Sequence, residues 1–156
     1  MDNYHPEHSN NEPKSITEYT TNDYYSDSYS RPGIHMAMLA DKRRTLIYEE
    51  ALKSKFCDIE GKSVLDVGSG TGILSMFAAK YGARVVVSVE MSGIAQVAQK
   101  IVQDNNYGGV INVFQGRIED FDDGFELADG EVINKFDVIV SEWMGYALVF
   151  EGMLEV

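Results

Sequence analysis

One short run, residues 64–72, restricts the fold of this chain more than any other feature of its sequence. Residues 64–67 (VLDV) have the apolar character of a buried strand, and glycines follow at alternate positions, Gly68, Gly70 and Gly72. A helix is predicted to leave this loop over residues 73–81. Because glycine allows tight turns and a close approach of the backbone to a ligand, this strand–loop–helix unit predicts a binding site.

Strands and helices alternate along the chain after residue 61. Further strands are predicted over residues 84–89, 110–115 and 137–141, and a second helix is predicted to follow Ser92, a favourable N-cap. Its apolar face has helical spacing and comprises Ile94, Val97, Ala98, Ile101 and Val102. Alternating strands and helices predict an α/β fold, a doubly wound, Rossmann-like domain with a parallel sheet of about four strands.

The residues before this domain form two segments. Residues 1–23 carry five acids, one lysine and few apolar side chains. Such a segment cannot offset the entropy cost of ordering, so we expect a disordered tail. Residues 24–61 are predicted to form a helical lid, with a helix over residues 34–52 that is broken near Asp41. The Rossmann-like domain then occupies residues 62–156.

The glycine spacing excludes two common phosphate sites. A dinucleotide fingerprint needs glycines at offsets zero, two and five, whereas here the third glycine comes at offset four and Ile73 follows it. The loop also lacks the lysine of a P-loop. We therefore expect a nucleoside ligand without a pyrophosphate.

Three acids lie next to predicted strand ends, where ligands bind in open α/β sheets. Asp66 precedes the glycine loop. Glu90 closes the second strand, and we expect its carboxylate to accept both ribose hydroxyls. Glu119 follows the third strand and is a candidate acceptor for an adenine amino group. The rest of the acidic stretch over residues 119–137 is predicted to be a solvated loop or surface helix.

The charge balance narrows the expected partners. The chain has 25 acidic and 13 basic residues, a formal net charge of −12. This balance argues against binding to nucleic acid or an anionic membrane and favours a cationic partner, although acidity can also serve solubility alone. One cysteine, Cys57, excludes an internal disulfide or a cysteine-rich zinc site. We expect no metal site and a cytoplasmic or nuclear location.

Several blocks resemble a known family. The glycine pattern is similar to that of class I S-adenosylmethionine-dependent methyltransferases. Residues 141–146 (SEWMGY) and 151–154 (EGML) resemble the double-glutamate loop of the protein arginine methyltransferases. Residues 25–29 (YSDSY), 33–35 (GIH), 38–39 (ML) and 44–45 (RT) resemble the N-terminal lid of that family. The likeness covers about residues 24–156 and is to the type I members, which make asymmetric dimethylarginine.

The resemblance implies S-adenosylmethionine as cofactor and a protein arginine as methyl acceptor. Glu142 and Glu151 would be the catalytic pair that grips the guanidinium. Tyr29 and Met38 would shape the substrate channel. The implied cofactor-binding residues are Tyr25, His35, Arg44, Asp66, Gly68, Gly70, Gly72, Glu90, Glu119 and Met153.

The resemblance also implies a basic protein substrate, Gly/Arg-rich or histone-like, and a homodimer for full-length members of the family. Those members continue well beyond the length of this chain with further strands, a β-barrel and a dimerisation arm. The implied strand order 3-2-1-4 leaves an apolar edge open, so we expect 156 residues alone to be marginally stable and weakly active or inactive. The alternatives are a non-catalytic cofactor-binding or partner module and a small-molecule methyltransferase.

Overall fold

The computed structural model describes residues 28–144 and begins with two consecutive helices, α1 (Pro32–Ala40) and α2 (Lys42–Lys53). Between them, the Asp41 carboxylate accepts the Arg44 N–H at 3.1 Å and caps α2. An aspartate at an N-cap satisfies one of the free N–H groups at a helix start, so the predicted break near Asp41 is confirmed. The proposed tail over residues 1–23, together with Tyr25, Glu151 and Met153, lies outside the described residues.

Six strands follow: β1 (Ser63–Val67), β2 (Val85–Glu90), β3 (Ile111–Gln115), β4 (Phe125–Glu126), β5 (Val132–Ile133) and β6 (Val138–Ser141). Four of them form a parallel sheet in the order β3-β2-β1-β6. This is the strand order implied by the family resemblance, and the predicted Rossmann-like α/β fold with four parallel strands is confirmed. The crossover β3-to-β6 connection contains the two short strands β4 and β5, which pair with each other.

Two further helices, α3 (Ile73–Lys80) and α4 (Ile94–Asp104), cover one face of the sheet with α2. Alternate strand residues point to this face, where the buried core contains Leu52, Val64, Leu74, Ala78, Val86, Val102 and Ile111. Gly82 follows α3 with φ 93°, a left-handed conformation that ends a helix readily in glycine. No helix within residues 28–144 has the length and apolar character needed to cross a membrane.

The acidic stretch lies over the opposite face of the sheet. Its acids are exposed and most of it is loop or surface helix, as predicted. It contains a 3-10 helix (Ile118–Phe121) and the short antiparallel β4–β5 ribbon, which the sequence analysis did not predict. Its apolar residues cover the sheet in a second core, whose buried members are Leu65, Val85, Val87, Val89, Phe125, Leu127 and Ile133. Exposed acids and buried apolar side chains thus alternate along this stretch, and the buried ones include the aromatic ring of Phe125.

The start and the buried face of α4 also differ from the sequence prediction. Gly93 is the N-cap residue of α4, one position after Ser92. The Ser92 hydroxyl still accepts the Ile94 N–H at 3.4 Å. It therefore caps a free N–H of the first turn, although Ser92 precedes the N-cap residue by one position. Val97 is 43% exposed, whereas Ala95 is buried. The buried face of α4 is therefore rotated by part of a turn from the predicted one.

Candidate functional site

The predicted site residues meet at the carboxyl ends of three neighbouring strands. Val67 of β1 is paired with Val89 of β2 and with Ser141 of β6. The residues that directly follow these three are Gly68, Glu90 and Glu142. They therefore lie at the same height at the ends of three adjacent strands. Since adjacent strands lie about 4.8 Å apart, these residues share one edge of the sheet.

The edge has two halves, on either side of β1. On the β2 side is the glycine-loop half, which comprises Gly68–Gly72, Glu90 and Ser92. On the β6 side is the Glu142 half, which comprises Arg44, Tyr48, Ser141 and Glu142.

The glycine loop adopts conformations that favour glycine at all three positions. Gly68, Gly70 and Gly72 have φ values of 69°, 55° and 82°. A Cβ on Gly70 would lie 3.2 Å from the His35 ring, tighter than most packed contacts. Glycine is therefore required at position 70 both for its left-handed backbone and for the space that the lid occupies.

Glu90 is held in place by the main chain. Its Oε2 accepts the Gly70 N–H at 2.9 Å, and its Oε1 accepts the Ser92 N–H at 2.8 Å. Hydrogen bonds to a charged acceptor are stronger than neutral ones, so the carboxylate is fixed before any ligand binds. Each oxygen keeps a further lone pair, and the pair of oxygens is suited to two neighbouring hydroxyls, such as those of a ribose.

Asp66 lies beneath the loop and is fully buried. Its Oδ2 accepts the Ser75 hydroxyl at 2.7 Å. Burial raises the pKa of Asp66 to about 7; the Ser75 hydrogen bonds oppose this shift and the Glu90 charge adds to it. Within the described residues, Asp66 Oδ1 and the buried Ser69 hydroxyl have no hydrogen-bond partner. A third such atom is the Ser88 hydroxyl oxygen inside β2. Buried polar atoms without a partner are rare, and Asp66 and Ser69 adjoin the glycine loop, so this site fits a polar ligand with N–H or O–H donors.

The lid contacts the glycine-loop half directly. His35 is buried, with its Nε2 2.7 Å from the Tyr29 carbonyl oxygen and its ring edge-to-face with the Tyr29 ring. The same carbonyl accepts the Ser92 hydroxyl at 3.4 Å, and the Ser30 hydroxyl accepts the Gly93 N–H at 3.1 Å. The structure therefore places His35 and Tyr29 at this half. Met38 lies half-buried on α1.

In the Glu142 half, a lid side chain meets the end of the sheet. Arg44 Nη2 lies 3.1 Å from Glu142 Oε2, and the two side chains are 31% and 19% exposed. The Ser141 hydroxyl donates to the Val67 carbonyl at 2.8 Å and fixes the end of β6 against β1. The pKa of Tyr48 is raised by burial and by the Glu142 charge, while the Arg44 charge acts in the opposite direction.

Glu119 lies at the rim, on the 3-10 helix that follows β3. Its carboxylate is half-exposed and lies 3.4 Å from Arg117 Nη2. The turn that leads to it is tied to β2, because the Gly116 N–H donates to the Glu90 carbonyl at 3.1 Å.

Three contributors to this site were missed by the sequence reasoning: Tyr48, Ser92 and Ser141. For the serines, a signal was present in the sequence. Each hydroxyl lies within two residues of a strand-end glutamate, where it can fix the chain around that acid. Across residues 28–144, there is no group of three or more His, Cys, Asp or Glu side chains placed to hold a metal ion.

A family model described as ribosomal protein L11 methyltransferase (PrmA) matches residues 48–149, more than half of the chain. The chain belongs to this methyltransferase family. The matched residues include β1, the glycine loop, Glu90 and Glu142, which are the elements that form the strand-end site.

Curated relatives confirm the resemblance to the protein arginine methyltransferases. Protein arginine N-methyltransferase 1 of Caenorhabditis elegans is 48% identical over 137 residues, which are 88% of this chain and 38% of the relative. A probable protein arginine N-methyltransferase 1.2 of Arabidopsis thaliana is 50% identical over 139 residues, 88% of this chain and 36% of the relative. The chain thus spans less than two fifths of the length of these relatives.

Solved structures give the same result. The Trypanosoma brucei PRMT1 enzyme–prozyme heterotetrameric complex with AdoHcy contains a chain with a TM-score of 0.72 and 48% identity; the match covers 82% of this chain and 38% of that one. Protein arginine methyltransferase 10 of Arabidopsis thaliana has a TM-score of 0.73 and 39% identity over 83% of this chain and 34% of its own. The fold is thus that of the amino-terminal methyltransferase part of these enzymes.

Proposed function

We propose that this chain provides the cofactor-binding part and the first acceptor glutamate of an S-adenosylmethionine-dependent protein arginine N-methyltransferase. One observation carries the proposal: Ser141 pairs with Val67, so Glu142 leaves β6 at the level where the glycine loop leaves β1. The carboxylate proposed to bind the methyl acceptor therefore lies beside the loop proposed to bind the methyl donor. Methyl transfer is also the chemistry shared by the family model and the relatives.

The proposed cofactor site is the glycine-loop half together with Arg44 of the Glu142 half and Glu119 at the rim. Glu90 would accept the ribose hydroxyls, Glu119 the adenine amino group, and Arg44 would bind the carboxylate of the methionine moiety. Asp66, His35, Tyr25 and Met153 complete the set implied by the resemblance. When bound, S-adenosylmethionine supplies an electrophilic methyl group on a sulfonium. The similar Trypanosoma brucei PRMT1 complex was solved with AdoHcy, which supports a ligand of this class.

Glu142 would act on the acceptor arginine together with Glu151. A guanidinium is a poor nucleophile because its positive charge is delocalised over three nitrogens. Two carboxylates that accept its N–H groups hold the charge on the bound nitrogens and aim the remaining lone pair at the methyl group. The contact with Arg44 supports this role, because the Glu142 carboxylate already accepts a guanidinium at 3.1 Å.

The proposed substrate is a basic protein segment, Gly/Arg-rich or histone-like, and the proposed assembly of the full-length enzyme is a homodimer. The net charge of −12 supports a cationic substrate, because an acidic surface steers positive ligands towards it.

The test has a binding arm and a turnover arm. We expect S-adenosylhomocysteine to raise the melting temperature of the 156-residue chain, and adenosine to raise it less. In the longest native form of the protein, Glu142→Gln should abolish methylation of an Arg-Gly-rich peptide and leave the ligand-induced shift intact. Glu126→Gln, on the exposed side of β4, is the matched control.

Each alternative predicts a different outcome. A non-catalytic module would bind the ligand but would not methylate the peptide in any form. A small-molecule methyltransferase would bind the ligand and lose no turnover on its own substrate in the Glu142→Gln variant. No melting shift at millimolar S-adenosylhomocysteine would overturn the cofactor assignment itself.

A further inference from the structure

The turn that carries Glu119 begins next to Glu90. Gln115, the last residue of β3, pairs with Glu90 of β2, and the following Gly116 N–H donates to the Glu90 carbonyl at 3.1 Å. The backbone segment that leads to Glu119, the acid proposed for the adenine, is therefore hydrogen-bonded to Glu90, the acid proposed for the ribose. Contacts that hold the turn after Gly116 therefore also hold Glu119 in position relative to Glu90.

Asp120 closes this turn with two reciprocal contacts. Its Oδ2 accepts the Arg117 N–H at 2.8 Å, and its own N–H donates to the Arg117 carbonyl at 3.0 Å. Glu119 lies between the two joined residues, so its backbone angles are restricted by both contacts. Aspartate side chains commonly stabilise turns by accepting a nearby backbone N–H in this way.

Phe121 anchors the other end of the turn. Its ring packs over Gly116, where an added Cβ would lie 3.1 Å away, and stacks on the Phe125 ring with a centroid distance of 4.8 Å. Phe114 meets it edge-to-face at 5.7 Å. The turn is thereby fixed to the second core and cannot shift without disturbing that aromatic cluster.

The Glu119 side chain itself is held only loosely. Its contact with Arg117 is 3.4 Å long, and both side chains are half-exposed or more. An exposed pair of this kind contributes little in water, so exchange of Arg117 for a ligand donor is nearly free of penalty. The structure thus combines a fixed backbone with a carboxylate that is available to a ligand.

We propose that Asp120 is a positioning residue for adenine recognition: it closes the turn that aims the Glu119 carboxylate at the exocyclic amino group. The proposal rests on the proposed function. Asp120 does not touch the ligand, and it acts only through Glu119. A site built to pair with a ligand N–H rejects an analogue that lacks it, so base selectivity is the quantity that reports this role.

The experiment compares two ligands by calorimetry on the 156-residue chain: S-adenosylhomocysteine and the analogue with hydrogen in place of the 6-amino group. We expect the chain to prefer the amino ligand by about tenfold, the worth of one hydrogen bond to a charged group. Asp120→Ala should reduce this preference to about twofold and leave affinity for the analogue unchanged. Asp120→Asn, which keeps an oxygen acceptor for the Arg117 N–H, should retain the preference.

The controls separate this proposal from the proposed function. Asp123→Ala, an exposed acid three residues further on, should retain the preference. Equal weakening of both ligands by Asp120→Ala, or an unchanged preference, would overturn the positioning role. Glu119→Ala with the preference intact would overturn the adenine assignment, and absence of binding in the unaltered chain would overturn the cofactor site. Should Asp120→Ala not fold, Phe121→Leu tests the same turn and should also reduce the preference.

Discussion

The glycine-loop half and the Glu142 half lie on opposite sides of β1, but different kinds of contact hold them. In the glycine-loop half, backbone N–H groups of Gly70 and Ser92 fix the Glu90 carboxylate at 2.9 and 2.8 Å. In the Glu142 half, the carboxylate is held by the side chain of Arg44, which belongs to the lid. One half is built by the main chain of the sheet edge, and the other depends on where a helix docks.

This difference predicts how each half responds to change. A main-chain network persists as long as the strands pair, so the cofactor side is organised in advance and binding energy is not spent on ordering it. The Glu142 half forms only when α2 docks. That docking includes Glu49, whose Oε1 accepts Lys80 Nζ at 2.7 Å and the Tyr81 hydroxyl at 2.8 Å.

The largest expected effect comes from the buried acid beneath the glycine-loop half. Burial raises the pKa of Asp66 from 3.8 to about 7, so the folded state binds this proton more tightly than the unfolded chain. The free energy of unfolding should therefore fall as pH rises from about 4 to about 7, by up to about 1.4 kcal/mol per pH unit. Asp66→Asn should remove this slope, measured as the difference from the unaltered chain in urea titrations. If the unfolding free energy of both proteins depended on pH in the same way, Asp66 would be ionised in the folded as well as the unfolded state.

Gly70→Ala should break the glycine-loop half itself. An L residue with φ near 55° is strained by about 1–2 kcal/mol, and the new Cβ would press on the His35 ring. We expect a loss of about 2 kcal/mol in unfolding free energy and more than tenfold weaker S-adenosylhomocysteine binding. Gly33→Ala, with open space around it on α1, is the control and should be neutral or slightly stabilising. Equal behaviour of the two variants would contradict the packing of the lid on the loop.

Arg44→Gln tests the Glu142 half and should be milder for stability. Because the Arg44–Glu142 pair is partly exposed, we expect a loss of about 1 kcal/mol or less in a thermal or urea melt. Arg43→Gln, on the same helix and exposed, provides the baseline. A larger stability loss than that of Gly70→Ala would reverse the contrast between the two halves, since it would make the lid contact the stronger support.

The smallest effect is expected at the edge of the sheet beyond the Glu142 half. No described strand pairs with the outer side of β6, and Ile139 there is 68% exposed. Ile139→Lys should change the unfolding free energy by no more than about 0.5 kcal/mol. It should also reduce light scattering by concentrated samples, because a charge on an edge strand opposes pairing between molecules. Unchanged scattering with lower stability would indicate that this side chain is part of a packed interior.

Local sequence was sufficient wherever the determining contacts are short-range. The break at Asp41, the end of α3 before Gly82 and the left-handed glycines of the loop follow from backbone preferences of a few residues. The same holds for the α/β alternation, because the apolar spacing of each segment already specifies a strand or a helix. The position of Glu90 at a strand end was predictable for this reason.

Tertiary structure decided the contacts between distant segments. The Arg44–Glu142 ion pair, the Ser141–Val67 hydrogen bond and the aromatic cluster around Phe125 join parts of the chain whose proximity depends on strand register and helix docking. No local pattern encodes those distances. The sequence by itself therefore determined which carboxylates reach the edge of the sheet, and only the packed fold determined which groups hold them there.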